Sequence, residues 1–285
     1  MLEAHPALRT TLGALEIRRA LPRRGRRMVG PWCFLDRYGP LTFSEGTPMD
    51  VAPHPHIGIQ TVTWLLDGEV LHNDSLGFEA MARPGSVNVM TAGRGIAHAE
   101  QTPEKNRGRL DGVQLWVALP DASRHSAAAF DHVAEVPRLE LRGGFAQVFI
   151  GALGGAASSA RRFSEIVGAD VDARERVTLP LARPFEHALL PLAGEGEADG
   201  EPLAPDTLYY LDPGRDEITV RGRLLLLGGP PFGEEVLMWW NFVARNRDEI
   251  ASARAEWEEG RFGAVRGYRG APIAAPPLQA VPSAP

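Results

Sequence analysis

The chain has 285 residues, 44% of them hydrophobic and 23% charged, with a net charge of −6. That is enough chain for one large core or two of ordinary size, and no apolar run is long enough to span a bilayer. The negative balance argues against general nucleic-acid affinity, and the opening MLEAHPALRTTLGALEIRRALP lacks the apolar stretch of a secretory signal.

The first charged feature is a basic cluster, Arg18, Arg19, Arg23, Arg24, Arg26 and Arg27, expected as a solvated loop rather than a partner-binding patch. Gly and Pro are frequent (31 and 24), and short β-like runs recur between them, the pattern of an all-β protein. Residues 30–43, GPWCFLDRYGPLTF, alternate aromatics with turn formers and are expected to lead into a first barrel. They contain Cys33, the sole cysteine, which excludes an internal disulfide and fits a reducing cytoplasm. After His54-Pro55-His56-Ile57-Gly58, the run Ile59–Leu66 reads as a strand ending at Asp67-Gly68. That pair signals a hairpin, with Glu69–His72 as the return strand. His72 and Asp74 then read as turn-stabilising residues of Asn73–Gly77. Arg83-Pro84-Gly85 interrupts the chain before Ser86–Thr91, a strand leading into Gly93-Arg94-Gly95-Ile96-Ala97-His98-Ala99-Glu100. Asp111–Leu119 alternates again, with Gln114 and Trp116 on one face, and Pro120 closes it.

The second half repeats this texture. Gly144–Ile150, Glu186–Leu192, Thr207–Leu211, Glu217–Val220 and Arg223–Leu227 read as strands, with turns at 194–196 and 212–214. Two similar β modules, 1–136 and 137–285, are the economical division. His187 is the only histidine after residue 132, so the second module is expected to carry no metal site of the same type. Trp239 and Trp240 are expected to pack the second barrel or its helix. Asn246–Glu259 has apolar residues at helical spacing and Gly260 as a stop, so it predicts a C-terminal helix. From Ala271 to residue 285 the Ala- and Pro-rich composition predicts an extended tail.

Two pairs of residues carry the chemistry. His54 with His56, and His98 with Glu100, stand at i and i+2, which on a strand places each pair on one face. Three imidazoles and a carboxylate suit a borderline divalent metal such as iron, nickel, copper or zinc. Their separation by about 40 residues is no objection, since adjacent strands of a barrel bring distant sequence together. The bland alternative is a pair of strands whose histidines are buried and hydrogen-bonded.

The stretch HPHIGIQTVTWLLDGEVLHND resembles the first motif of the cupin superfamily. RPGSVNVMTAGRGIAHAE resembles the second motif in its pirin form, and GVQLWVALP resembles the pirin strand that follows. The resemblance to the pirin family is dense over roughly residues 30–120 and rests on texture and WWNFV beyond. It implies an all-β bicupin, two β-barrels face to face plus a C-terminal α-helix. It also implies one metal in the N-terminal barrel, held by His54, His56, His98 and Glu100. Fe(II) is the expected metal, with Ni, Co, Mn, Cu or Zn as alternatives. The implied activity is ring opening of a flavonol such as quercetin, or attack on a catechol, with O₂. Glu100 is then the candidate catalytic base. The same resemblance carries an alternative, a non-enzymatic redox-sensing regulator that binds a protein partner. Gln60 departs from the general cupin pattern, which has Glu there, and is expected to hydrogen-bond inside the barrel. A pocket of about 300 Å³ or more beside the metal favours the enzyme, and a plugged site beside an exposed apolar patch favours the regulator. The chain is expected to be a cytoplasmic monomer without membrane or nucleic-acid partners.

Overall fold

A computed structural model of the protein describes residues 2–13, 15–46 and 48–278, so residues 279–285 of the expected tail lie outside the described residues. The first half forms β1 (Glu3–Pro6), β2 (Leu8–Leu12), β3 (Leu15–Leu21), β4 (Trp32–Thr42), β5 (Asp50–His56) and β6 (Ile59–Gly68). It continues with β7 (Val70–Asp74), β8 (Glu79–Ala82), β9 (Val87–Thr91), β10 (Ile96–Gln101), β11 (Arg109–Ala118) and β12 (Ala129–Val133). The second half forms β13 (Arg138–Leu141), β14 (Gly144–Leu153), β15 (Ala156–Ala157), β16 (Val167–Pro180) and β17 (Glu186–Ala198). After these come β18 (Glu201–Leu203), β19 (Thr207–Leu211), β20 (Glu217–Gly229), β21 (Leu237–Trp239), β22 (Phe242–Ala244) and the helix α1 (Arg247–Glu258).

In the first half a seven-stranded sheet, β12-β9-β6-β11-β4-β3-β2, accompanies a four-stranded sheet, β5-β10-β7-β8. The second half contributes a nine-stranded sheet along β1-β19-β17-β20-β16-β14-β13, with β15 and β18 as side branches. The fold is the expected all-β bicupin, and among the described residues neither half is closed by hydrogen bonds into a continuous barrel. Strand β1 belongs to the second sheet although it begins the chain, pairing with β19 from Glu3↔Tyr210 to Pro6↔Thr207.

The two halves share one core. Val62 and Trp64 of β6 and Val113, Leu115 and Val117 of β11 join Leu190, Leu208, Leu225 and Leu227 in a single buried cluster. The run Leu224–Leu227 is apolar without alternation because β20 is covered on both faces. Leu225 and Leu227 enter the shared core, while Leu224 and Leu226 enter a second cluster with Val148, Ala169 and Leu189. Two indole N–H groups lock the interface: Trp64 donates to Asp170 Oδ2 at 3.1 Å and Trp32 to the Gly228 carbonyl at 3.1 Å. Arg223 neutralises Asp170 at 2.8 Å.

Several local expectations change in the structure. Asp67-Gly68 does not make a hairpin: both edges of β6 are occupied, by β9 and β11, so β7 crosses to the four-stranded sheet and pairs with β10 and β8. Residues 194–196 are not a turn but an irregular stretch within β17. Glu217–Val220 and Arg223–Leu227 are one strand, β20, passing through Gly222. The basic cluster is not a solvated loop either. Arg18 bonds the Gly39 carbonyl, Arg19 pairs with Asp36, and Arg26 pairs with Glu3 over the Tyr210 ring, leaving Arg24 and Arg27 exposed.

Helix α1 begins at Asn246, whose side chain accepts from the Glu249 N–H at 3.0 Å, and buries Ile250, Ala253 and Trp257. Trp239 joins these residues in one cluster with Phe242 and Phe262. This helical cap packs on the first half rather than the second barrel: the Val243 N–H meets the Ile57 carbonyl, and Ile57 bridges Phe242. Gly58 permits that approach. Its φ is +70°, and a side-chain carbon there would run into the Val243 carbonyl oxygen. Gly58→Ala should therefore cost on the order of 2–4 kcal/mol in thermal or denaturant unfolding, combining backbone strain with a clash. Wild-type stability in this variant would contradict the described packing.

Candidate metal centre

The site is built on the β5–β10 ladder. These strands run antiparallel with His98 opposite His54 and Ile96 opposite His56, so the alternation of side chains sends all three imidazoles to the same side. Ring centroids are 4.4 Å apart for His54–His98 and 5.0 Å apart for both His54–His56 and His56–His98. One ligand atom from each lies within 4.8 Å of the other two. A register irregularity between His98 and Glu100 follows, and β10 pairs with β7 on its other edge, bringing Glu100 opposite His72 and His98 opposite Asp74. His72, His98 and Glu100 form a second group within 4.8 Å, so His98 belongs to both.

Each imidazole of the first group has its Nδ1 occupied. His54 Nδ1 donates to the Ala52 carbonyl at 2.9 Å and His56 Nδ1 to the Asn241 carbonyl at 3.0 Å; a carbonyl only accepts, so both rings keep a lone pair on Nε2. His98 Nδ1 faces His72 Nδ1 at 3.3 Å, and His98 Nε2 is buried without a hydrogen-bond partner. An orphaned buried nitrogen beside two further lone pairs is an unfavourable arrangement for hydrogen-bonded histidines and a suitable one for a cation. The donor set thus fits a divalent transition metal.

Burial decides the protonation states. It lowers His54 to about 4 and holds His56 and His98 well below the usual 6.5, with neighbouring rings pushing the same way. Burial also raises Glu100, against the opposing pull of His72 and of hydrogen bonds from Thr63 and Gln114. The Thr63 hydroxyl donates to Glu100 Oε1 at 3.0 Å and lies 2.9 Å from the Gln114 amide oxygen position.

A cavity of about 490 Å³ opens onto these groups. His54, His56, His98, Glu100, Gln114 and Trp116 line it, with Phe34, Tyr38, Met49 and Val51 from the first half and Trp240, Asn241 and Ile273 from the C-terminal cap. Gln114 and Trp116 take the cavity-facing positions of β11. Gln60 lies on the other face of the seven-stranded sheet, donating to Thr91 Oγ1 and the Arg161 carbonyl, both at 3.0 Å. Arg94 is exposed and lines a different cavity, beside Arg124 and Glu249.

Three participants had escaped the reading of the sequence. His72 is no turn residue: it is buried against His98, and only Asp74 caps the turn, accepting from the N–H groups of Leu76 and Phe78. The signal was available, since His72-x-Asp74 repeats the i, i+2 spacing of the other pairs. Trp240 lines the cavity, and Asn241 contributes only a backbone carbonyl, which leaves no mark on residue type.

The titration of these rings sets a pH dependence. Between pH 6.5 and about 4 the unfolded histidines bind protons that the folded ones refuse, so stability falls as pH falls. His187, buried and lowered to about 4, adds to this, whereas Glu100 and Asp36, both raised by burial, work in the opposite sense. The Tm of metal-free protein should drop between pH 7 and pH 5, above the ordinary carboxylate range. A flat Tm over that window would mean these histidines are not held neutral.

Comparison with known proteins shows the family and the fold. The family model described as Pirin matches residues 14–117, and that of the pirin C-terminal cupin domain matches residues 166–263. A Pseudomonas aeruginosa protein named "Putative quercetin 2,3-dioxygenase" is 46% identical over 274 residues, covering 93% of this chain and 87% of that protein. A pirin-like protein of Caulobacter vibrioides is 40% identical over 267 residues, covering 90% of this chain and 92% of that protein. The crystal structure of quercetin 2,3-dioxygenase from Acinetobacter baumannii superposes with a TM-score of 0.93 at 39% identity, covering 98% of this chain and 96% of that one.

Proposed function

The chain belongs to the pirin family, and from that premise we propose a metal-dependent dioxygenase that opens the ring of a flavonol such as quercetin with O₂. In this reading His54, His56, His98 and Glu100 hold one divalent transition metal, Fe(II) by family resemblance. Bound there, the metal supplies Lewis-acid and redox chemistry that imidazole and carboxylate lack.

The observation that carries the proposal is the open cavity of about 490 Å³ beside the imidazole cluster, large enough for a flat aromatic molecule and not plugged by loop side chains. Its walls suit such a substrate. Phe34 and Trp116 stack with centroids 4.1 Å apart and planes inclined by 14°, giving a planar apolar wall. Trp240 and Ile273 add further apolar lining from the C-terminal cap. Tyr38 Oη and Glu100 offer polar contacts, the hydroxyl being buried without a partner of its own.

Glu100 is the base. Its burial makes the carboxylate more basic than an exposed one, and Thr63 holds it in place to take the proton of a flavonol 3-hydroxyl. Glu100→Gln keeps one oxygen and the side-chain volume while removing nearly all basicity. Metal content should stay near wild type while flavonol turnover per bound metal falls by about 10²–10⁴-fold. His98→Ala, which removes a ligand without a proton-transfer role, should instead lose metal and rate together. Equal per-metal rates in Glu100→Gln and wild type would end the base assignment. Absence of O₂ uptake by the wild type with any flavonol or catechol, whichever of iron, nickel, cobalt, manganese or copper is loaded, would favour the regulator.

A further inference from the structure

The three imidazoles of the first group are oriented in two different ways. Backbone carbonyls fix His54 and His56, and no side-chain substitution at Ala52 or Asn241 removes those acceptors directly. His98 is oriented by another side chain, His72, and His72 in turn by Asp74. Resting on the metal reading above, we propose that Asp74 and His72 form a positioning relay that sets the tautomer of His98 and so decides whether its Nε2 can bind a metal.

The chain of donors runs in one direction. Asp74 is fully buried, and its Oδ1 accepts the N–H groups of Leu76 at 2.9 Å and Phe78 at 3.0 Å, which locks the carboxylate in place. Its Oδ2 faces His72 Nε2 at 3.1 Å. A carboxylate accepts, so His72 Nε2 carries a proton, and in the neutral ring His72 Nδ1 then presents a lone pair. His98 Nδ1, 3.3 Å away, must then be the donor, because two facing lone pairs would repel. The second nitrogen of His98 is left with its lone pair, and this is the atom found buried without a partner. Phe130 stacks on His72 with centroids 4.4 Å apart and planes inclined by 17°, which opposes a ring flip. Both nitrogens of His72 are thereby committed, which makes it a support for the cluster and not a fifth ligand.

The relay can be inverted by one atom. In Asp74→Asn the amide oxygen must still serve Leu76 and Phe78, so the NH₂ faces His72 Nε2. That nitrogen becomes the acceptor, His72 Nδ1–H donates to His98 Nδ1, and His98 Nε2 acquires the proton. Nickel(II) affinity, measured by chelator competition, should fall by about 10–100-fold, the range for lost outer-shell support of a ligating histidine. His72→Gln, which can accept from His98 and donate to Asp74, should hold affinity within a few-fold. His72→Phe, which can do neither, should lose it. Long-range ¹H–¹⁵N spectra of metal-free, histidine-labelled protein report the tautomers directly: His98 protonated on Nδ1 in the wild type and on Nε2 in Asp74→Asn. A wild-type His98 protonated on Nε2, or Asp74→Asn with wild-type affinity and spectrum, overturns the relay. If Asp74→Asn does not fold, the wild-type spectrum and the Gln–Phe contrast at His72 still decide. His54→Ala separates the underlying reading, because it should lose nickel whatever the relay does. Wild-type nickel affinity in His54→Ala would remove the metal site itself.

Discussion

The antiparallel register of β5 against β10 sets His98 opposite His54, and the site exists only in that register. A slip of one residue would turn His98 and Glu100 away from the interior, because side chains alternate across a strand. Register is strongly specified here. Ala97 and Ala99 lie fully buried on the opposite side of β10, so a slipped strand would carry polar groups into packed apolar space. A second ladder, β10 with β7, brings Asp74 and His72 to the other edge of β10, so three adjacent strands furnish both the cluster and its support.

The second half of the chain contributes to the cavity through Trp240, Asn241 and Ile273. Its sheet covers the outer face of β6 and β11, which lets their inner faces hold Thr63, Gln114 and Trp116 on a rigid backing. The hairpin of β21 and β22 then returns to the first half, where Asn241 accepts from His56 and Trp240 walls the cavity. Trp240 adopts φ +53°, an uncommon conformation for a bulky residue, at the turn that directs the Asn241 carbonyl toward the imidazole. Gly58 provides the space for this return. The cap, the cavity and the orientation of one imidazole therefore depend on the same close approach.

Much of this could be read from the sequence, for reasons that differ by residue. His54-x-His56 and His98-x-Glu100 stand out because strand periodicity converts i, i+2 spacing directly into shared facing. Helix α1 was legible from its apolar spacing and from Gly260 as its stop. Asp67-Gly68 misled because the local signal is the same whether the following strand folds back or crosses to another sheet; only the occupied edges of β6 exclude the hairpin. Strand β16 was missed because VGADVDARERVTLP carries exposed charges in its middle, at Arg174, Glu175 and Arg176, where its register shifts against β20. Arg18 and Arg19 looked solvated because their partners, Gly39 and Asp36, become neighbours only when β3 pairs with β4. Asn241 acts through its carbonyl, to which side-chain identity is no guide.

One metal should bind each chain, held by His54, His56 and His98 with Glu100. Anomalous diffraction from crystals loaded with nickel or iron, recorded on both sides of the metal absorption edge, tests it most directly. One peak per chain is expected, about 2.0–2.2 Å from the Nε2 atoms of the three histidines, with a Glu100 oxygen completing the set and no peak at His187. A fully occupied peak between the Nδ1 atoms of His72 and His98, or one beside His187, would contradict it.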